Sequence, residues 1–148
     1  MDQNAQTFVS HLECSLTGKT YKSGEVHGLS EAGRPLLVRY DLEAMASTVS
    51  RADIETSKVA GFWRYASMLP VTRAENRVSL GEVVTPLISL EQSAGWLGAR
   101  PGKVIVKDEG RLPTGSFKAR GLCLAVAMAK ELGVEHLAIP TNGNAGAA

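Results

Sequence analysis

The stretch that most constrains the fold is the last third of the chain, where a short β-branched run, a glycine-punctuated loop, an apolar helical pattern and a second short apolar run follow one another. Val104-Ile105-Val106-Lys107 reads as a buried strand. The loop after it carries Gly110, Pro113 and Gly115. Residues 117–132 predict a helix with Leu122, Val126 and Ala129 on one face, Ser116 as its candidate cap and Gly133 as its C′ stop. Leu137-Ala138-Ile139-Pro140 reads as a second strand, and Thr141-Asn142-Gly143-Asn144-Ala145-Gly146 as a turn that opens a further helix. Strand, helix and strand in this order imply a parallel pair with a right-handed crossover. Parallel sheets need helices on both faces and more than two strands, so residues 104–148 read as the opening of a larger sheet.

Ahead of that unit the chain is turn-rich. Residues 8–12, residues 15–19 and Leu36-Leu37-Val38-Arg39-Tyr40 predict short strands, punctuated into hairpins by Gly18, Gly24, Gly28 and Gly33. From Asp41, a plausible N-cap, the spacing of Leu42, Met45, Ala46 and Val49 turns helical. A second helical stretch over about residues 61–68 stops before Pro70, which holds its predecessor extended. The expected fold class is α/β, the start of an open parallel sheet with flanking helices preceded by a small β-hairpin N-terminal region. The expected organisation is a hairpin region over 1–40, a helical connector over 41–79 and the first part of an α/β domain over 80–148.

Charge and length exclude several function classes. Sixteen basic and fifteen acidic residues leave a net charge of +1, which gives no overall footprint for nucleic acid or an anionic membrane. The longest wholly apolar run, residues 122–129, is far short of the roughly 20 residues that a spanning helix needs. Met1-Asp2-Gln3-Asn4 is neither basic nor followed by an apolar stretch, so no secretory signal is expected and the expected compartment is the cytoplasm. Cys14 and Cys123 are then free thiols, Cys123 in the core of its helix. His11, His27 and His136 are not spaced as metal ligands.

Two loops carry candidate chemistry. Gly110 and Gly115 have the spacing of a phosphate-binding P-loop, but Ser116 and Phe117 intervene before Lys118, which places the lysine a turn too deep for that role. Lys118 falls instead in the first helical turn, where the positive end of the dipole disfavours an ammonium and Phe117 offers partial desolvation. A neutral amine attacks aldehydes. Position alone still favours a solvated helix lysine, the common case. The 141–146 turn lies beyond a strand end at a helix head, where anions bind, although Asn and Gly serve equally well in a tight turn.

Pro113-Thr114-Gly115-Ser116-Phe117-Lys118-Ala119-Arg120-Gly121, followed by Pro140-Thr141-Asn142-Gly143-Asn144-Ala145-Gly146, resembles the pyridoxal-phosphate enzymes of the tryptophan synthase β fold type. Glu13-Cys14-Ser15-Leu16-Thr17-Gly18-Lys19, Pro35-Leu36-Leu37-Val38-Arg39-Tyr40-Asp41, Trp63-Arg64-Tyr65-Ala66 and Leu80-Gly81-Glu82 with Thr85-Pro86-Leu87 make it most similar, within that type, to the threonine synthases. The resemblance implies pyridoxal 5'-phosphate as cofactor, with Lys118 as Schiff-base lysine and proton shuttle. It also implies Phe117 packed by the cofactor and Asn144 on its phenolic oxygen. Thr141, Asn142, Gly143 and Ala145 would hold the carboxylate of an amino-acid substrate. The implied reaction takes O-phospho-L-homoserine and water to L-threonine and phosphate, in a protein expected to be a homodimer.

The sequence also departs from that pattern. Many relatives have aspartate where this chain has Ala119 and glycine where it has Val83. Some carry a zinc ribbon of two Cys-x-x-Cys pairs; here Cys14, Thr17, Leu29 and Ala32 stand at those places, so a ribbon-like hairpin without metal and an inert Cys14 are expected. The loop for the cofactor phosphate and the partner of the pyridine nitrogen lie, in the family, beyond the asparagine loop. The isolated 148-residue chain is therefore expected to be a non-catalytic part of a longer protein. A threonine or serine dehydratase-like lyase of the same fold type shares the lysine and asparagine loops and is the alternative enzyme.

Overall fold

The computed structural model describes residues 7–100 and 102–148, so Met1-Asp2-Gln3-Asn4 and Pro101 lie outside the described residues. The chain is mixed α/β, as expected. β1 (Val9–Cys14) is the centre of a three-stranded antiparallel sheet, flanked by β2 (Thr20–Tyr21) and β3 (Leu36–Tyr40), with Leu12 opposite Val38. Two tight turns close this hairpin region. In the first, Gly18 N–H donates to the Cys14 carbonyl at 3.1 Å; in the second, Gly33 N–H donates to Ser30 at 2.8 Å.

The two turns meet through Cys14 and Ser30, whose Sγ and Oγ are hydrogen-bonded at 3.1 Å. Leu29, one of the four ribbon positions, points out and is exposed, so its neighbour Ser30 makes the contact. The Ser30 hydroxyl and the Thr17 amide favour the thiolate and draw the Cys14 thiol down to about 6. The sulfur is nevertheless closed to reagents, because Cys14 is 1% exposed. Among the described residues no group of three or more His, Cys, Asp or Glu is placed to hold a metal ion.

α1 (Leu42–Thr48) starts where the sequence predicts, with the Asp41 side chain accepting from Ala44 N–H at 2.9 Å. α2 (Arg51–Glu55) follows behind a capping box between Ser50 and Asp53. The stretch expected to be helical before Pro70 is a 3-10 helix, Phe62–Met68, entered through Gly61 at φ +75°. A Cβ on Gly61 would stand 2.2 Å from the Glu82 carbonyl oxygen, the acceptor for Phe62 N–H, so only glycine allows this approach.

α3 (Lys118–Glu131) forms the largest helix and ends in a Schellman motif. Gly133 N–H donates to Lys130 at 3.2 Å and Val134 N–H to Ala129 at 2.9 Å, with Gly133 left-handed, as its predicted role as C′ stop requires. Its inward face differs from the predicted one. Ala129 is buried as predicted, but its buried companions are Ala119, Cys123 and Ala127, while Val126 is exposed and Leu122 only half-buried. The reason is the size of Trp63. Small side chains on α3 let that indole pack against Cys123 and Ala127, with Val71 completing the core.

The second sheet also departs from the expectation. β4 (Leu87–Ser89) pairs antiparallel with β5 (Ile105–Lys107), Ile88 opposite Val106, and residues 137–140 have no strand partner. No parallel pair stands among the described residues. A short apolar run reports extended backbone but not which edge it joins, and Pro140 has no N–H to give a ladder. Among the described residues no helix is long and apolar enough to cross a membrane.

The far end of α3 is fastened to a distant segment. The Glu131 carboxylate accepts from Thr72 N–H at 3.1 Å, from the Thr72 hydroxyl, from Arg73 N–H at 3.3 Å and from Asn76 Nδ2 at 2.5 Å. Burial alone would raise the Glu131 pKa, but the hydrogen bonds from Asn76, Thr72 and Arg73 outweigh it and bring the carboxyl down to about 2. A lowered folded-state pKa adds stability that is complete above the ordinary value of 4.5 and is lost as pH falls toward 2. Glu131→Gln is expected to melt lower than the native chain at pH 7 and to lose that part of the acid sensitivity. Thermal melts from pH 7 to pH 2 check this, and an unchanged acid slope would show that the fastening lies elsewhere.

Candidate functional site

Beyond β5 the chain makes two short turns before α3 begins. Asp108 caps the first, Glu109–Arg111, by accepting from Gly110 N–H at 3.2 Å, and its other oxygen meets Arg111 Nε at 2.9 Å. Leu112 is buried beneath it. The second turn, Pro113–Gly115, contains Thr114 at φ +66°, the one non-glycine residue with positive φ among the described residues. Ser116 then turns inward, and its Oγ accepts from Lys118 N–H at 3.2 Å. It thus serves the helix start as predicted, one position ahead of the geometric N-cap, Phe117.

Lys118 is the first residue of α3 and is exposed. Phe117 does not wall it off from water. The ring is 63% exposed and lies with its centroid 4.9 Å from Lys118 Nζ, a cation–π neighbour instead of a dry wall. Lys118 has no carboxylate partner among the described residues, whereas Lys19 and Lys22 are each paired with a glutamate.

The second predicted loop is organised by Thr141. Its hydroxyl accepts from Gly143 N–H at 3.1 Å and from Gly146 N–H at 2.9 Å, so the side chain closes its own turn. Gly143 sits at φ +150°, and a Cβ on Gly146 would come 2.3 Å from Thr141 Cγ2. Both glycines are therefore demanded by the turn. α4 (Asn144–Ala147) starts directly after it, with Asn144 and Asn142 exposed and Ala145 half-buried. α4 packs against α3, and Ala148 shares a cavity of about 170 Å³ with Leu122, Cys123 and Val126. Lys118 and Asn144 thus head two contacting helices. No hydrogen bond joins them, and neither lines that cavity. A larger cavity, about 810 Å³, lies elsewhere, between the apolar face of the first sheet at Leu12 and Val38 and α3 at Leu124 and Met128.

Cys123 lies in the core, as expected. It is buried, hydrogen-bonds the Val78 carbonyl at 3.1 Å, and has its thiol pushed up to about 11 by burial and by nearby Glu82. His11 and His27 are held in the hairpin region, His27 Nε2 at 2.8 Å from the Lys22 carbonyl. Glu109, Arg120 and Thr85, to which the sequence alone assigns no role, form one network at the base of the lysine loop. A signal existed: an arginine in the first turn of a helix stands against the dipole and needs an anion close by.

The family described as pyridoxal-phosphate dependent enzyme matches residues 78–148. Threonine synthase of Methanocaldococcus jannaschii is 39% identical over 134 residues, 90% of this chain and 32% of that protein. Threonine synthase of Methanosarcina acetivorans is 37% identical over 139 residues, 93% of this chain and 33% of that protein. The 2-amino-4-ketopentanoate thiolase beta subunit of Acetoanaerobium sticklandii is 49% identical over 75 residues, 47% of this chain and 16% of that protein. There is no match among solved structures. The chain spans about a third of the length of the two threonine synthases.

The donor chemistry fits pyridoxal phosphate at its aldehyde end. Among the described residues the Lys118 amine has no ion-pair partner and the Asn144 carboxamide no hydrogen bond, and a free primary amine is the group that an aldehyde requires. Residues 78–148, which hold both loops, are thus similar to the pyridoxal-phosphate-dependent enzymes over just under half of the chain.

Proposed function

We propose that the chain is part of a threonine synthase, converting O-phospho-L-homoserine and water to L-threonine and phosphate. The observation that carries this reading is the placement of the Lys118 amine, unpaired at the head of α3, within a sequence of which 90% aligns with a threonine synthase. Lys118 holds the cofactor through its amine, Asn144 through a hydrogen bond from its carboxamide, and Phe117 by packing beside it. When bound, pyridoxal phosphate supplies an electron sink for negative charge developing on the substrate carbons. Lys118 takes and returns protons at those carbons, since an amine within reach of them is the available base.

The asparagine loop receives the substrate carboxylate. The Thr141 hydroxyl and the Gly143 N–H are occupied in closing the turn, so their part is to shape the loop, while Asn142 and Ala145 present side chain and backbone N–H groups to the anion. The division into a hairpin region, a connector and a cofactor-binding part, a cytoplasmic setting and a homodimer belong to the same proposal.

The similarity over 75 residues to a thiolase subunit, a protein named for different chemistry, supports a second reading. A dehydratase-like lyase is the form that reading takes here. Product analysis separates the two on the enzyme that carries this chain, supplied with pyridoxal phosphate. Equal amounts of phosphate and threonine from O-phospho-L-homoserine are expected. Ammonia and a 2-oxo acid from threonine or serine, with no phosphate release from O-phospho-L-homoserine, would overturn the synthase.

A further inference from the structure

The loop over residues 110–117 is bracketed by two charges of opposite sign, Glu109 just past β5 and Arg120 in the first turn of α3. Arg120 Nε donates to Glu109 Oε2 at 2.7 Å and Nη2 donates to Oε1 at 3.1 Å, a two-pronged contact between fork and carboxylate. The same Nη2 reaches Thr85 Oγ1 at 3.3 Å and the Val83 carbonyl at 3.1 Å, while the Thr85 hydroxyl donates to Glu109 Oε1 at 2.5 Å. Lys107 Nζ stands 3.8 Å from Glu109 Oε1. Both side chains of the central pair are 23% exposed, so the contact is largely sheltered from solvent. Arg120 hydrogen bonding holds the Glu109 carboxyl at about 2, against the opposing effect of burial, so the pair stays ionised at ordinary pH.

This pair closes a segment that contains Thr114 at φ +66°, the one left-handed non-glycine residue among the described residues. A threonine persists in that conformation only where its surroundings over-determine it. The surroundings are the buried Leu112 and Ser116 on either side and the ion pair that ties the two ends of the loop together.

We infer that the Glu109–Arg120 pair is a positioning device for the Lys118 amine, locking the first turn of α3 onto the loop, keeping Thr114 left-handed and so fixing where Lys118 leaves the helix. The inference rests on Lys118 as the cofactor lysine. Glu109 and Arg120 act through the backbone of the loop and touch neither cofactor nor substrate. Arginine is required for the two-pronged contact, because lysine brings the charge without the fork.

The test uses the 148-residue chain with pyridoxal phosphate, followed by borohydride reduction and peptide mass mapping of the label. The first readout is labelling of Lys118 relative to exposed Lys58. The second is amide hydrogen exchange at Lys118 and Ala119, compared with Cys123 and Ala127. Arg120→Lys and Glu109→Gln are each expected to lower the labelling ratio about tenfold and to speed exchange at Lys118 and Ala119, with the centre of α3 unchanged. Adding Thr114→Gly to Arg120→Lys relieves the left-handed residue and is expected to bring the ratio back to within about threefold of the native chain.

An unchanged ratio with unchanged exchange at Lys118 and Ala119 in both variants overturns the inference. So does faster exchange along the whole of α3, which would make the pair a simple support of the fold. If the native chain shows no excess of label on Lys118, the cofactor reading of Lys118 fails, and the exchange data alone decide the pair. Faster exchange confined to Lys118 and Ala119 then upholds its hold on the turn, and unchanged exchange refutes it.

Discussion

Lys118→Ala is expected to abolish borohydride-fixed pyridoxyl label at this position and to lower phosphate release by the enzyme that carries this chain about 10³-fold or more, since both the attachment point and the proton carrier go. The fold is expected to survive. Lys118 contributes its backbone N–H to Ser116 Oγ, which alanine keeps, and its side chain is exposed without an ion-pair partner. Alanine is also the strongest helix former. A shift in stability within about 0.5 kcal/mol is therefore expected in urea unfolding, as for other exposed substitutions. Wild-type label and phosphate release in Lys118→Ala would remove the lysine from the chemistry.

The largest effect on stability is expected at Trp63, which is the hub of the core. Its indole is 9% exposed and packs on Cys123 and Ala127 of α3, and its ring meets Phe62 edge-on at 5.2 Å. Nε1 donates to the Val78 carbonyl at 2.6 Å, tying the 3-10 helix to the segment that follows it. Trp63→Ala removes this volume from between partners too small to collapse into it and is expected to cost about 3–5 kcal/mol. Against a typical total of about 5–15 kcal/mol this leaves much of the population unfolded near physiological temperature. Trp63→Phe keeps an aromatic ring but leaves the Val78 carbonyl only the weak Cys123 thiol as donor, and a smaller loss of about 1–3 kcal/mol is expected. Urea midpoints of the two variants check the order, and a Trp63→Ala loss below about 1 kcal/mol would mean that the core is carried elsewhere.

What could be read from the residues was local. Asp41 before an apolar helical spacing, the β-branched run at Ile105 and the stop at Gly133 each depend on neighbours within a few positions, and each stands where expected, although the strand at Ile105, expected to be buried, is exposed. Strand pairing is decided by distant segments. Leu87–Ser89 and Ile105–Lys107 are three-residue strands separated by a long connection, and nothing in either fixes direction or partner. The buried side of α3 escaped for a similar reason, since the long side chains Leu122 and Val126 mark the apolar face until the bulk of Trp63 favours the small ones. At the candidate site, Lys118 and Asn144 were legible through the spacing of their loops and a resemblance. The Glu109–Arg120 contact was not, because its meaning lies in closing a turn whose shape no local propensity specifies.

α3 is fixed at both ends, by Arg120 on Glu109 at its start and by Glu131 on the Thr72–Asn76 segment at its finish. A helix of 14 residues clamped in this way is a strut about 21 Å long. Along such a strut, displacement is transmitted with little loss. Clamped at both ends, the helix keeps the Lys118 amine and the Thr72 segment at a fixed separation.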